Sequence, residues 1–521
     1  MSAALPLPAA RANVRLLPVA ALLALFALYF FQLGARDLVS SNEARAAQNA
    51  QRMLGTGEWG LPTLFDGQPD LQKPPLYYWL SAASGALTGK VTPFAARLPA
   101  ALSAVCCVLL VFGFVRREAG PRAALVAAVV LATANHFVAI GRTARIDVPL
   151  ALAVCASLFA FYRGARASSH RLSGLCEFEA QTAQAGKPVP QTQSAARWFA
   201  LSAVAAGCAV LLKGPVALAL VGPVAVAWLA LERFASPPDA RPRLSFAPAV
   251  LGIAVVAAVA GPWFAWAHLA TDGEFTRVFF WYHNVSRFAG DADALAVHPW
   301  WYYGPRGALA LMPWALLAPL VVWAFRSGFW RESPAFRFGC VWCAVMVAVL
   351  SAAQFKRADY LLPAFPGAVL ALGCAACGWL HARPEHERRA TVAFAVLTVC
   401  ALAVWPVMWF AVETKEAARQ EKRPFAEAIR AHAPAPHSVI LFRTESHLLA
   451  YHLGPPLTTL VEWGDLRAAL TEPGPHAVVM PPEYVADAER YTNRKFVPVA
   501  DLASTLNVRP HRPLVCLSTT N

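Results

Sequence analysis

The sequence predicts a polytopic α-helical membrane protein that ends in a small α/β domain. Three observations carry this prediction. The 521 residues are 57% hydrophobic and only 15% charged, where soluble domains carry roughly a quarter charged residues, and mean hydropathy is +0.45. Apolar runs long enough to cross ~30 Å of hydrocarbon recur along most of the chain. After about residue 412 the long runs stop, and short apolar stretches punctuated by Pro and Gly take over.

Taken in order, eleven spans are expected near 16–33, 94–115, 123–140, 148–162, 198–212, 214–231, 247–268, 308–325, 338–354, 360–380 and 392–411. The first is read as a retained helix rather than a removed signal, since no small-residue cleavage site follows it. Basic residues fix the orientation. Arg11/Arg15, Arg116/Arg117/Arg122, Arg163/Arg166/Arg171, Arg233/Arg241/Arg243, Arg326/Arg331/Arg337 and Arg383/Arg388/Arg389 fall on one side if the spans alternate. The positive-inside rule makes that side cytoplasmic. The net charge of +14 is thereby spent on orientation, and a nucleic-acid partner is not expected. The cytoplasmic loop 167–196, rich in Ser, Gln, Ala and Pro, reads as a linker. Of the eleven cysteines, nine lie within apolar runs, including the CxxC-spaced Cys340/Cys343 and Cys374/Cys377. Zinc sites need pairs on closable polar loops, so these read as packing residues.

The opposite side receives the long loop 34–93, the turns 142–149 and 354–360, the loop 269–307, and the tail 412–521. In the first loop a helix from Glu43 to Leu54 is expected to lie in the interface with Ala46, Ala47, Ala50, Met53 and Leu54 toward lipid. Lys73-Pro74-Pro75 fixes a lysine on extended backbone at headgroup level; snorkelling alone would also explain it. Asp147 lies between two apolar runs. A carboxylate at membrane depth is costly and faces a cavity or a partner, with Arg142 and Arg145 near enough to serve as one. Lys73, Lys213, Arg287, Lys356 and Arg357 accumulate on the same face, with Asp359-Tyr360 behind the last pair. Such a group suits the phosphate of a lipid carrier, because it stabilises charge growing on a leaving group. The tail alternates helix-like sequence (413–433) with apolar runs at 438–442, 457–461 and 476–480.

Seven segments occur in one order: NEARAAQNAQRML, GTGEWGLPTLFDGQPDLQKPPLYYWL, FAARLPAAL, TARIDVPLAL, LLKGP, HNVSRF with PWWYY, and FKRADYLLPAFP. Together they resemble the bacterial lipid-linked-sugar glycosyltransferases of the aminoarabinose transferase and protein O-mannosyltransferase superfamily, over most of residues 40–370. The resemblance implies a GT-C fold with about 11–13 transmembrane helices and a large first periplasmic loop. It implies a membrane domain at 1–411 and a soluble periplasmic domain at 412–521, in a bacterial inner membrane. It further implies transfer of a sugar from a polyprenyl-phosphate carrier to lipid A, a glycan or a protein, by one inverting displacement. By position, Asp147 and Glu43 would be the catalytic carboxylates. Asn42, Lys73, Lys213, Arg287, Lys356, Arg357 and Tyr360 would bind substrate. The resemblance leaves a divalent metal open, with His283 as ligand, and requires no other cofactor. Two departures stand out: Asn42 precedes Glu43 where the family carries Asp, and Gln72 precedes Lys73 where it carries Glu. They leave room for a catalytically impaired relative that only binds lipid-linked sugars. A lipid or solute transporter is the reading from another class; no internal repeat of the kind many transporters show is visible.

Overall fold

The computed structural model describes residues 16–182, 192–242, 246–286, 297–472, 476–505 and 513–519. Its membrane part is built from helices α1 (Leu16–Phe30), α2 (Ser41–Thr56), α3 (Leu76–Ala86), α4 (Pro93–Thr133), α5 (Asn135–Gly141), α6 (Asp147–Thr182), α7 (Thr192–Lys213), α8 (Val216–Ala235) and α9 (Phe246–Ala270). There follow α10 (Tyr303–Ala310), α11 (Ala318–Arg326), α12 (Pro334–Ala352), α13 (Phe365–Ala382) and α14 (Glu387–Val407). Among the described residues eight helices are long and apolar enough to cross a membrane, or nine if one bent pair counts as a single span. All eleven segments read from the sequence fall on helix. Two of them share α4, which kinks at Gly120 (φ 87°, ahead of Pro121), a conformation open to glycine. Two expectations need correction. The segment 308–325 is not one straight span: Trp300–Ala310 and Trp314–Arg326 meet at 102°, the break falling at Pro313, whose ring cannot continue a helix. The supposed linker begins later than expected, because α6 continues to Thr182.

Helix α2 does not lie against lipid. Ser40 Oγ accepts the Glu43 N–H, the Glu43 carboxylate accepts from Val39 N–H at 3.1 Å, and Gly57 at φ 75° closes the helix. This is a capping arrangement of Ser-x-x-Glu type. Ala46, Ala47, Ala50 and Met53, expected toward lipid, are buried against the helices beneath, in the main apolar core. Small side chains let the two layers approach closely, so this apolar stripe is an internal seam.

The C-terminal part holds a five-stranded sheet in the order β2-β1-β3-β5-β4. The strands are β1 (Val439–Phe442), β2 (Leu457–Leu460), β3 (Ala477–Met480), β4 (Phe496–Asp501) and β5 (Val515–Thr519). β1 pairs in parallel with β2 and β3; β5 runs antiparallel to β3 and β4. Side chains alternate across it. Val439, Leu441 and Val479 pack on helices Arg423–His432 and His447–Leu453, together with Phe65 from the first loop, whereas Ile440, Phe442 and Met480 pack on Leu466 and Leu470. The first three strands coincide with the apolar runs of the sequence. β4 and β5 were not foreseen, because their solvent-facing positions dilute the apolar signal. The sheet unit docks on the first loop through Tyr451 Oη to the Val91 carbonyl (2.7 Å), Gln48 Nε2 to the His447 carbonyl (2.9 Å), and His452 and Arg423 on Asp37 (3.0 and 3.2 Å).

Candidate active site

The polar loops gather at one end of the bundle around a cavity of about 360 Å³. Asp147 is the first residue of α6 and Lys213 the last of α7, so each charge complements its helix dipole. Gly214, at φ 74°, reverses the chain between α7 and α8 and aims Lys213 back across the bundle. Lys213 Nζ lies 2.7 Å from Asp147 Oδ1 and 4.1 Å from the centre of the Tyr360 ring. Arg145 Nε stands 3.4 Å from Asp147 Oδ2, and the same guanidinium reaches Asp359. Asp359 also takes Arg357 at 3.1 Å and His136 at 3.0 Å. Two carboxylates thus set the positions of three cations.

The cavity wall carries Arg45, Lys73, Arg145, Lys213 and Arg357, and one carboxylate, Asp147. Asn42, Gln72, His283, Asn284 and Tyr360 add further polar groups, and Leu150, Leu220, Phe279 and Leu350 belong to the apolar remainder. Lys73 makes no hydrogen bond or ion pair among the described residues. Burial pushes its ammonium down to about 8; Asp147 opposes the shift, and Lys213, Arg45 and Arg145 add to it. A cluster of like charges with an apolar wall is unfavourable when empty, and an anion bearing an apolar tail relieves it.

Of the residues expected from sequence, Asn42, Lys73, Asp147, Lys213, His283, Arg357 and Tyr360 do meet at this cavity. Arg287 lies outside the described residues. Two others have different work. Glu43 is fully buried, 2.8 Å from Arg97 Nε and 3.0 Å from the Ala144 N–H. Burial pushes its carboxyl up, but Arg97, Arg36 and the Val39 N–H more than offset this and hold it at about 2. It is not on the cavity wall; it pins α2, α4 and the turn before Arg145 together. Lys356 also points away, donating to the carbonyls of His298 (2.9 Å) and Ala353, which ties 297–298 to the turn 353–356. A metal at His283 would need further hard or imidazole donors. Among the described residues no three His, Cys, Asp or Glu side chains form such a set, and both nearby aspartates are engaged by cations instead. The sequence reading gave no site role to Arg45 and named Arg145 only as a candidate partner for Asp147, a contact it does make. Arg45 sits three residues after Asn42, hence on the same face of α2, and bonds Gln72, His447 (3.0 Å) and Glu445 (3.3 Å). The Gln72 that departs from the family pattern is therefore the neutral partner of a cavity arginine.

Residues 15–265 match a family described as dolichyl-phosphate-mannose-protein mannosyltransferase. An undecaprenyl phosphate-alpha-4-amino-4-deoxy-L-arabinose arabinosyl transferase of Shewanella sediminis is 30% identical over 336 residues, 64% of this chain and 55% of that protein. Its counterpart from Edwardsiella ictaluri is 32% identical over 354 residues, 67% of this chain and 58% of that one. The chain thus spans less than two thirds of the length of these relatives. In three dimensions it superposes on ArnT from Cupriavidus metallidurans bound to undecaprenyl phosphate with a TM-score of 0.72, at 20% identity, covering 97% of this chain and 98% of that one. The chain has the GT-C fold of ArnT and is similar in sequence to the aminoarabinose transferases over part of their length. The same GT-C scaffold underlies a more distant likeness to the oligosaccharyltransferase AglB of Archaeoglobus fulgidus, with a TM-score of 0.53 at 13% identity over 84% of this chain and 63% of that one.

Proposed function

We propose that the protein is an integral-membrane glycosyltransferase that moves a sugar from a polyprenyl-phosphate carrier to an envelope acceptor, a lipid A, glycan or protein, at the periplasmic face of a bacterial inner membrane. In this reading residues 1–411 form the transferase domain and 412–521 a soluble unit on the same side. One observation carries it: among the described residues, five cations surround a single carboxylate in a cavity whose remaining wall is part polar and part apolar. That set suits a phosphate on a lipid tail, and the names of the sequence relatives supply the same chemistry. Lys73, Arg45, Lys213 and Arg357 would hold the phosphate. The acceptor oxygen bonds to the anomeric carbon from the opposite side as the bond to the phosphate oxygen breaks, the electron pair leaving with the polyprenyl phosphate. The cations stabilise the charge that grows there. Asp147 Oδ2, 3.4 Å from its cation against 2.7 Å for Oδ1, is the looser oxygen and the one placed for the proton of a hydroxyl acceptor. A phosphate acceptor needs no base, and Asp147 then orients Lys213 and Arg145.

Binding of undecaprenyl phosphate to the purified chain tests this directly. Lys73→Met removes one charge-assisted contact of about 1.5–3 kcal/mol and should weaken binding by ~10–100-fold. Wild-type affinity in this variant would contradict the assignment.

A further inference from the structure

A second cavity, of about 590 Å³, lies where the C-terminal sheet meets α2. Its floor is the carboxyl end of two parallel strands: Leu441, Arg443 and Thr444 at the end of β1, Thr459 and Val461 at the end of β2. Strand order reverses between β1 and β3; the cavity lies over the neighbouring β1 and β2 ends, with Tyr484, which follows β3, at its edge. In open parallel sheets ligands bind outside the carboxyl ends of the strands, the end at which this cavity lies. Arg443, the residue closing β1, holds φ 49°, a conformation that costs a non-glycine residue and persists only where its surroundings impose it. Its N–H bonds the Leu460 carbonyl and its Nε the Val461 carbonyl, both at 2.9 Å, while the guanidinium lies 4.6 Å from the Trp463 ring centre. The outer edge of the guanidinium is thereby presented on a fixed aromatic plate.

The charge balance separates this cavity from the first. One arginine and His447 face two carboxylates, Asp66 and Glu445, with hydroxyls from Thr444, Ser446 and Thr459. That wall does not favour an anion. Paired donors and acceptors over Leu441, Leu457 and Tyr484 suit a neutral ring with hydroxyls on its edge and C–H groups on its faces. The two cavities share one helix: Asn42 and Arg45 line the first, and Gln48, one turn on, lines the second. Arg45 also bonds Glu445 and His447 of the second wall. We propose that this second cavity binds the neutral, hydroxyl-rich sugar portion of the acceptor and presents it to the phosphate site across Arg45. The role as acceptor rests on the transferase reading above; the saccharide site itself does not.

The test uses the full chain in nanodiscs and saturation-transfer NMR on methyl glycosides of the common hexoses, deoxyhexoses and N-acetylhexosamines. At least one should receive saturation, and Val461→Trp, which fills the cavity from a position 57% exposed, should cut that signal at least ~10-fold. Undecaprenyl phosphate binding in the same variant should be unchanged, which shows that the chain is folded. Absence of saturation across the panel, saturation that survives Val461→Trp, or displacement of the glycoside by inorganic phosphate would each overturn the proposal. If glycoside binding is lost on Val461→Trp while the wild type fails to bind undecaprenyl phosphate, the transferase reading falls and the saccharide site stands.

Discussion

Lys73 and Glu43 show how two charged residues of one loop divide into chemistry and structure. Glu43 has each oxygen bonded and an arginine beside it at 2.8 Å. Replacing it by Gln leaves Arg97 buried without its counter-charge, and breaking such a pair costs about 3–5 kcal/mol. Glu43→Gln should therefore lower the thermal unfolding temperature in detergent. A variant as stable as wild type but inactive would restore Glu43 to the catalytic role its sequence position suggested. Lys73 carries a pH dependence. Burial holds its ammonium near 8, so it is charged below that pH and loses its charge above it. Affinity for undecaprenyl phosphate should fall between pH 7.5 and 9.5, a range in which the phosphate is already fully ionised. The fall should vanish in Lys73→Met; a flat wild-type profile would contradict a direct Lys73 contact. Sequence alone marked both residues as polar groups at a membrane surface. It did not separate them, because the separation depends on Arg97, 54 positions away from Glu43.

At the scale of elements, the site depends on helix ends. Asp147 opens α6, Lys213 closes α7, and Arg357 and Tyr360 lie in the turn before α13. Their convergence was legible in part, because charges flanking apolar runs on one side must share a surface. Arg45 was not, since its partners Glu445 and His447 belong to a unit 400 residues on. The turn after Lys213 offers a test. An added Cβ at Gly214 would clash with the Phe279 ring, on backbone at φ 74°, and the left-handed conformation alone costs about 1–2 kcal/mol. Gly214→Ala should lower stability by at least that much and, by displacing Lys213 and Phe279 together, weaken undecaprenyl phosphate binding. A variant unchanged in both respects would show that the turn does not position the site.

Across the whole molecule, the sequence disclosed the apolar spans and the strands β1 to β3. What it hid was set by tertiary packing. The stripe Ala46–Met53 has the spacing of a lipid-facing helix yet faces protein. The break at Pro313 lies inside a run of adequate hydropathy. The C-terminal unit sits on the loop that roofs the cavity, through Asp37, Gln48 and Val91, so both units face one compartment in the proposed reaction. In the proposed reaction this cavity transfers a sugar from a lipid phosphate, with Asp147 as the one carboxylate on its wall among the described residues. The most direct test of this transfer is mass spectrometry of lipid A, envelope glycans and glycoproteins from a deletion strain complemented with wild type or with Asp147→Asn. One sugar should be missing in the deletion, return with wild type, and stay missing with Asp147→Asn at equal membrane abundance. An unaltered envelope in the deletion strain, or full restoration by Asp147→Asn, would contradict it.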